Sequence, residues 1–76
     1  MLNVQIKLNT VEDVRDFADI VSGYDINMDL SSGRYIVDAK SVMGIFSLDL
    51  SSPVTLTAHT DDYGDLLKAI TNYIVQ

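Results

Sequence analysis

Short runs of alternating apolar and polar side chains recur along this chain, and between them the apolar spacing switches to that of a helix. Leu2, Val4, Ile6 and Leu8 alternate with Asn3, Gln5, Lys7 and Asn9. Ile26, Met28 and Leu30 alternate with Asp25, Asn27 and Asp29, and Val54, Leu56 and Ala58 with Thr55, Thr57 and His59. A period of two sends every second side chain to one face, so each run reads as a half-buried strand. Ser31-Ser32-Gly33 is a turn signal, and Arg34 to Val37 then forms the second arm of a hairpin. Strands with one apolar and one polar face call for an antiparallel or mixed sheet covered on one side only.

The segments between the strands supply the cover. Val11, Val14, Phe17, Ala18 and Val21 fall at helical spacing. Thr10 is placed as the N-cap, Asp13 completes a short-armed capping box, and Gly23 is placed to end the helix in a left-handed conformation. Ser41 caps a short helix running to about Leu48, with Ile45 and Leu48 assigned to the core. Ser51-Ser52-Pro53 is a loop. A closing helix starts near Asp61 or Asp62 and carries Leu66, Leu67, Ile70, Tyr73 and Ile74 as its apolar stripe. The order is strand-helix-strand-strand-helix-strand-helix. This is an α+β chain, an open-faced β-sandwich with a four-stranded sheet and three helices on one face.

Seventy-six residues without a linker or repeat imply a single domain, residues 1–76, with one core of limited size. No cysteine is present, which removes disulfide and thiolate chemistry and suits a reducing cytoplasm. The N-terminus lacks both a basic start and a continuous apolar run, so it reads as neither a signal peptide nor a membrane span. The net charge is −6, and Lys7, Arg15, Arg34, Lys40 and Lys68 are scattered rather than clustered. Phosphate neutralisation supplies most nucleic-acid affinity, so nucleic acid is not an expected partner, and neither is an anionic membrane. A basic protein surface suits the charge better as a partner, and the alternative is an acidic surface that only keeps a small domain soluble. No phosphate-binding glycine loop, hydrolase elbow or zinc spacing occurs, so no cofactor and no metal site is expected.

One stretch carries a more specific signal: Asp38-Ala39-Lys40-Ser41-Val42-Met43-Gly44-Ile45-Phe46-Ser47-Leu48. It resembles the segment around the regulatory serine of HPr, the histidine-containing phosphocarrier of the bacterial sugar phosphotransferase system. That family reads approximately N-A-K-S-[IV]-M-G-[VL]-M-[ST]-L here. Ala39, Lys40, Ser41, Met43, Gly44, Ser47 and Leu48 match, and Val42 fits the degenerate position. The pairing extends without gaps back to about Ser22, with Tyr24 in place of a common aromatic and Gly33 near the family's hairpin turn. The resemblance implies the HPr strand order, a bacterial cytoplasmic setting, and partners among phosphotransferase components or regulators.

It also implies a phosphoryl-accepting histidine in a G-L-H-A-R-P-A segment at the start of the first helix. The sole histidine of this chain is His59. Gapless pairing puts Thr10 at the histidine position, Glu12 at the arginine and Asp13 at the proline. Thr10 is a poor substitute nucleophile. Glu12, Asp13 and Asp16 contribute roughly 0.3–1 kcal/mol each to a helix start. They also repel an incoming phosphate, at a cost on the order of 1–4 kcal/mol for like charges about 4 Å apart. A capped acidic helix is therefore the expectation, with no catalytic residue and no phosphoryl transfer through the usual route.

By the same resemblance, Ser41 is a candidate phosphorylation site, with Lys40 beside it to pair with the phosphate; from the residues alone it is an N-cap. Lys40, Val42, Met43 and Phe46 are candidate partner-binding residues, because the family's equivalent apolar positions form an exposed docking patch. The competing assignment for Met43 is the core. His59 reads as an exposed, solvated histidine, and Asp61, Asp62 and Asp65 as capping and a solvated face. The functional expectation is a regulatory or protein-interaction module on the HPr scaffold. The alternatives are a phosphocarrier with a displaced site at His59 or Thr10, or a binding module with unrelated partners.

Overall fold

The computed structural model describes residues 1–75; Gln76, the last residue of the expected domain, lies outside the described residues. Strand β1 spans Leu2–Ile6, helix α1 Val11–Ser22, β2 Met28–Ser32, β3 Tyr35–Asp38, α2 Val42–Phe46, β4 Val54–Ala58 and α3 Gly64–Ala69. A 3₁₀ turn, Thr71–Tyr73, follows. The four strands form one sheet in the order β1-β4-β2-β3, every neighbouring pair antiparallel. The layers are those the alternation requires.

The register explains the single core. Leu2 lies opposite Ala58, Val4 opposite Leu56 and Ile6 opposite Val54, while Met28 and Leu30 meet Ala58 and Leu56 from the other side. These residues share one face, and Val14, Phe17, Ala18 and Val21 of α1, Ile45 of α2 and Leu66 of α3 pack on it. The reverse face carries Asn3, Thr57, Asp29 and Asp38 in one cross-strand row and Gln5, Thr55, Ser31 and Ile36 in the next. Thr57 donates to Asn3 Oδ1 at 2.7 Å across that open face. No buried polar side chain is left without a hydrogen-bond partner among the described residues.

Four local expectations need correction. Gly23 does close α1, but with φ −75° rather than a left-handed value; its N–H caps Ile20 and Val21 carbonyls in a right-handed turn. Val11 is half exposed because it sits at the first helical position, before the helix reaches the sheet. Ser31 and Ser32 are strand residues, and the hairpin turn is only Gly33-Arg34. Gly33 takes φ 59°, and no other described residue has positive φ. Positive φ at the first central position alone is the pattern of a type II′ turn, which suits the twist of a two-residue hairpin. β3 buries no full face: Tyr35 and Ile36 are both exposed, since the strand is the sheet's edge.

The C-terminus departs furthest from its sequence pattern. The helix stops at Ala69, and the chain then turns to lie along β1. Lys7 N–H donates to the Tyr73 carbonyl at 2.8 Å, Val75 N–H to the Gln5 carbonyl at 2.9 Å, and Ile6 and Ile74 form an antiparallel bridge. β-Branched Ile70, Thr71, Ile74 and Val75 are costly to keep helical, whereas an extended course satisfies the open edge of β1. No described helix is long and apolar enough to cross a membrane.

Candidate functional site

Two capped helix starts frame the candidate site, and Phe46 at the end of the second helix lies beside the first start. The first is the mouth of α1. Thr10 is extended (φ −131°, ψ 166°), and its hydroxyl accepts the Asp13 N–H at 3.0 Å. Asp13 Oδ2 reaches back to accept the N–H of Thr10 at 3.3 Å and of Asn9 at 2.9 Å. The expected capping box is therefore closed. A carboxylate of the chain itself occupies the positive end of the helix, where an anionic ligand would otherwise bind. Glu12 adds a second carboxylate to the first turn.

A shallow depression links this mouth to α2, lined by Thr10, Val11, Phe46, Leu50 and Ser51, with Lys7 beneath. Lys7 Nζ donates to the Leu50 carbonyl at 2.7 Å, so its charge ties the loop after α2 to β1. Asp49 in that loop accepts both the hydroxyl and the amide of Ser51, and these hydrogen bonds hold its carboxyl below the ordinary carboxylate range.

The second helix start is Ser41. Its backbone is extended (φ −102°, ψ 110°), and its Oγ accepts the Gly44 N–H at 3.1 Å, as an N-cap requires. Only Ile45 anchors the five-residue helix by full burial. Gly44 has a clear packing role: a Cβ there would lie 3.2 Å from Val37 Cβ and 3.3 Å from Ser41 Oγ. Its missing side chain lets α2 sit directly on β3.

The candidate residues divide on this frame. Met43 points to solvent, 84% exposed, and Phe46 is 43% exposed, so these two make an apolar surface beside the α1 mouth. Val42 is half-buried against the core, and Ile45 and Leu48 belong to it, as their spacing predicts. Ser41 is half-buried. Lys40 is not directed at Ser41. Its Nζ donates to the Tyr24 carbonyl at 2.7 Å and its N–H to Asp38 Oδ1 at 2.9 Å, so it pins the strand-to-helix corner.

His59 lies elsewhere. It follows β4, whose last residue pairs with Leu2 at the beginning of β1, whereas α1 emerges beyond the far end of that strand. The ring belongs to the open face, with Nε2 3.0 Å from Asp29 Oδ2, and the backbone N–H donates to the Asn27 carbonyl. It is exposed, as expected, but paired with a carboxylate. Sequence reasoning missed that partner because thirty residues separate the two; the alternation does place both on the polar face. Asp61 holds the amino group of Met1 at 3.0 Å, and α3 begins at Gly64 after Tyr63, which gives no side-chain cap. That corrects the capping role expected of the acidic run. Among the described residues no cluster of three or more His, Cys, Asp or Glu side chains is arranged to hold a metal ion.

No protein-family model and no curated protein matches the chain. Solved structures do. HPr-C-His from Thermoanaerobacter tengcongensis superposes with a TM-score of 0.79 at 28% identity, covering 95% of this chain and 89% of that one. The HPr dimer from the same organism gives 0.67 at 27%, covering 95% and 88%. The histidine-containing phosphocarrier protein studied for the divergence of mycoplasma from Gram-positive bacteria gives 0.71 at 17%, covering 93% and 86%, a likeness of fold alone. The chain therefore has the fold of the HPr phosphocarriers, the scaffold that the Ser41 segment suggested.

Proposed function

We propose that this chain is an HPr-like regulatory or protein-interaction module related to the phosphotransferase system, and that it does not carry phosphate at the mouth of α1. The observation that carries the reading is the Asp13 carboxylate closing that mouth beside the exposed Met43–Phe46 surface. Phosphoryl transfer there needs a neutral imidazole and free anion-binding N–H groups. Thr10 has no imidazole, and the N–H groups of Asn9, Thr10 and Asp13 are already taken by the Asp13 carboxylate and the Thr10 hydroxyl. The apolar surface is independent of that chemistry. A flexible methionine and an aromatic ring suit a protein partner, and the setting would be the bacterial cytoplasm. Ser41 is the proposed modification site. Phosphorylation would add about −1.5 to −2 charges beside Met43 and change which partner docks. Lys40 would have to leave Tyr24 to contribute.

A second reading is favoured by the His59–Asp29 pair. A carboxylate on one ring nitrogen fixes the tautomer and leaves the other nitrogen with a lone pair, which describes a displaced phosphoryl acceptor. Its location, in an open depression shared with Asp29, Asp38 and Lys40 and at the opposite end of β1 from the α1 mouth, removes it from partners that dock at that mouth. The discriminating experiment incubates the chain with enzyme I and phosphoenolpyruvate and looks for an acid-labile adduct of phosphate mass. No adduct is expected. Labelling that vanishes in His59→Ala would establish the displaced carrier instead. Treatment with the HPr serine kinase and ATP tests Ser41; a chain left unmodified there would remove the regulatory role and leave a binding module with other partners.

A further inference from the structure

The two edges of the sheet are treated differently. The C-terminal segment covers β1 through the Lys7–Tyr73 and Val75–Gln5 hydrogen bonds. Nothing described covers β3, although Tyr35 and Ile36 are 71% and 69% exposed there. Edge strands are usually protected by lysine, proline or a bulge. β3 contains none of these and is flanked by one cation, Arg34, and ended by one anion, Asp38.

The hairpin register determines which backbone groups face outward. Ser32 and Tyr35 flank the two-residue turn, so Tyr35 exchanges its hydrogen bonds with Ser32, and Ala39 N–H returns to the Met28 carbonyl at 3.0 Å. Odd-numbered residues thus face β2, and Ile36 and Asp38 direct their N–H groups away from the sheet. The Asp38 carbonyl is taken by Ser41 N–H, while that of Ile36 is free to accept.

We propose that this edge pairs antiparallel with the β3 edge of a second copy of the chain, on a two-fold axis at Ile36. That register pairs Ile36 with its own copy through two backbone hydrogen bonds and brings Tyr35 opposite Val37. It also places Arg34 opposite Asp38 twice, once on each side of the axis. Opposite charges directly across an antiparallel pair are favourable, and like charges are not. Within the described residues Arg34 makes no ion pair, and Asp38 has no cation on its carboxylate and lies opposite Asp29. The second copy supplies what both lack. The contact is isologous and closes at two chains. A four-residue strand makes a small interface, so the dimer is weak and reversible.

Sedimentation of the native chain over a wide concentration range tests this. Mass should rise from one chain toward two. Ile36→Pro removes an outward N–H and no bond to β2, so it should stay monomeric with its fold intact. Arg34→Glu sets like charges opposite Asp38 and should also stay monomeric, as should Asp38→Lys. Mixing those two single variants restores both opposite-charge pairs and should recover a heterodimer. A native chain that keeps the mass of one copy at every concentration would overturn the proposal. So would an Ile36→Pro chain that dimerises like the native one, or a mixture that fails to associate while both variants are folded by circular dichroism.

Discussion

The starts of α1 and α2 share a capping chemistry and differ in everything behind it. Each is closed by a hydroxyl that accepts an N–H three residues on, from Thr10 and from Ser41. At α1 a carboxylate completes the box and four side chains of the helix are buried behind it. At α2 no acidic residue occupies the first turn and one side chain, Ile45, is fully buried. The first start is locked and electrostatically complete, and the second is lightly held and open to added negative charge. In the proposed function the firm element is the mouth that carries no phosphate, and the adaptable one is the proposed docking helix.

The comparison breaks most readily at Ile45. Ile45→Ala should cost about 2–5 kcal/mol, read by urea denaturation, and amide exchange should speed up in α2 before α1. Equal loss of protection in both helices would show that α2 is no more lightly held than α1. Gly44→Val forces a side chain against Val37 and should cost about 1–3 kcal/mol. The nuclear Overhauser effects between α2 and β3 should weaken as the helix is pushed off the strand.

The caps sharpen the contrast. Thr10→Ala and Ser41→Ala should each cost about 0.5–2 kcal/mol. The damage from Ser41→Ala should stay within α2, while Thr10→Ala lowers the global melting temperature. Asp13→Asn, which removes charge but little volume, should cost about 0.3–1 kcal/mol and lose its effect in high salt. The smallest effect concerns Tyr73, which packs edge-on against Phe17 with ring centroids 5.6 Å apart. Burial, then the charges of Asp16 and Asp13, raise its pKa above the ordinary phenol value. Its proton is held more tightly in the folded state, so this stabilisation is complete below the ordinary value of about 10 and is lost as pH rises through the folded value. Tyr73→Phe should flatten that alkaline decline in melting temperature.

Much of the fold was legible because alternation and helical spacing are local properties. Thr10 and Asp13 announced their box, and Ser41, Ile45 and Leu48 announced a capped, core-facing helix. The Ser41 segment also pointed to the scaffold, although no family model matches the chain. Other features depended on partners remote in sequence. The exposure of Met43 followed from how α2 is seated on β3, and a five-residue helix gives too little periodicity to decide it. Tyr24 drew Lys40 away from Ser41, and Asp29 paired with His59. The stripe from Leu66 to Ile74 fitted one helix, yet its last part serves the edge of β1.

The sequence alone determined the layers, the N-caps of α1 and α2, the core face of each inner strand and the absence of any histidine before His59. Those features need only the two backbone periods and the chemistry of single side chains. Tertiary structure decided which sheet edge is covered, which charges find partners and which apolar residues stay in water. Each of those outcomes depends on distances between residues far apart in the chain, and a local pattern carries no information about such distances.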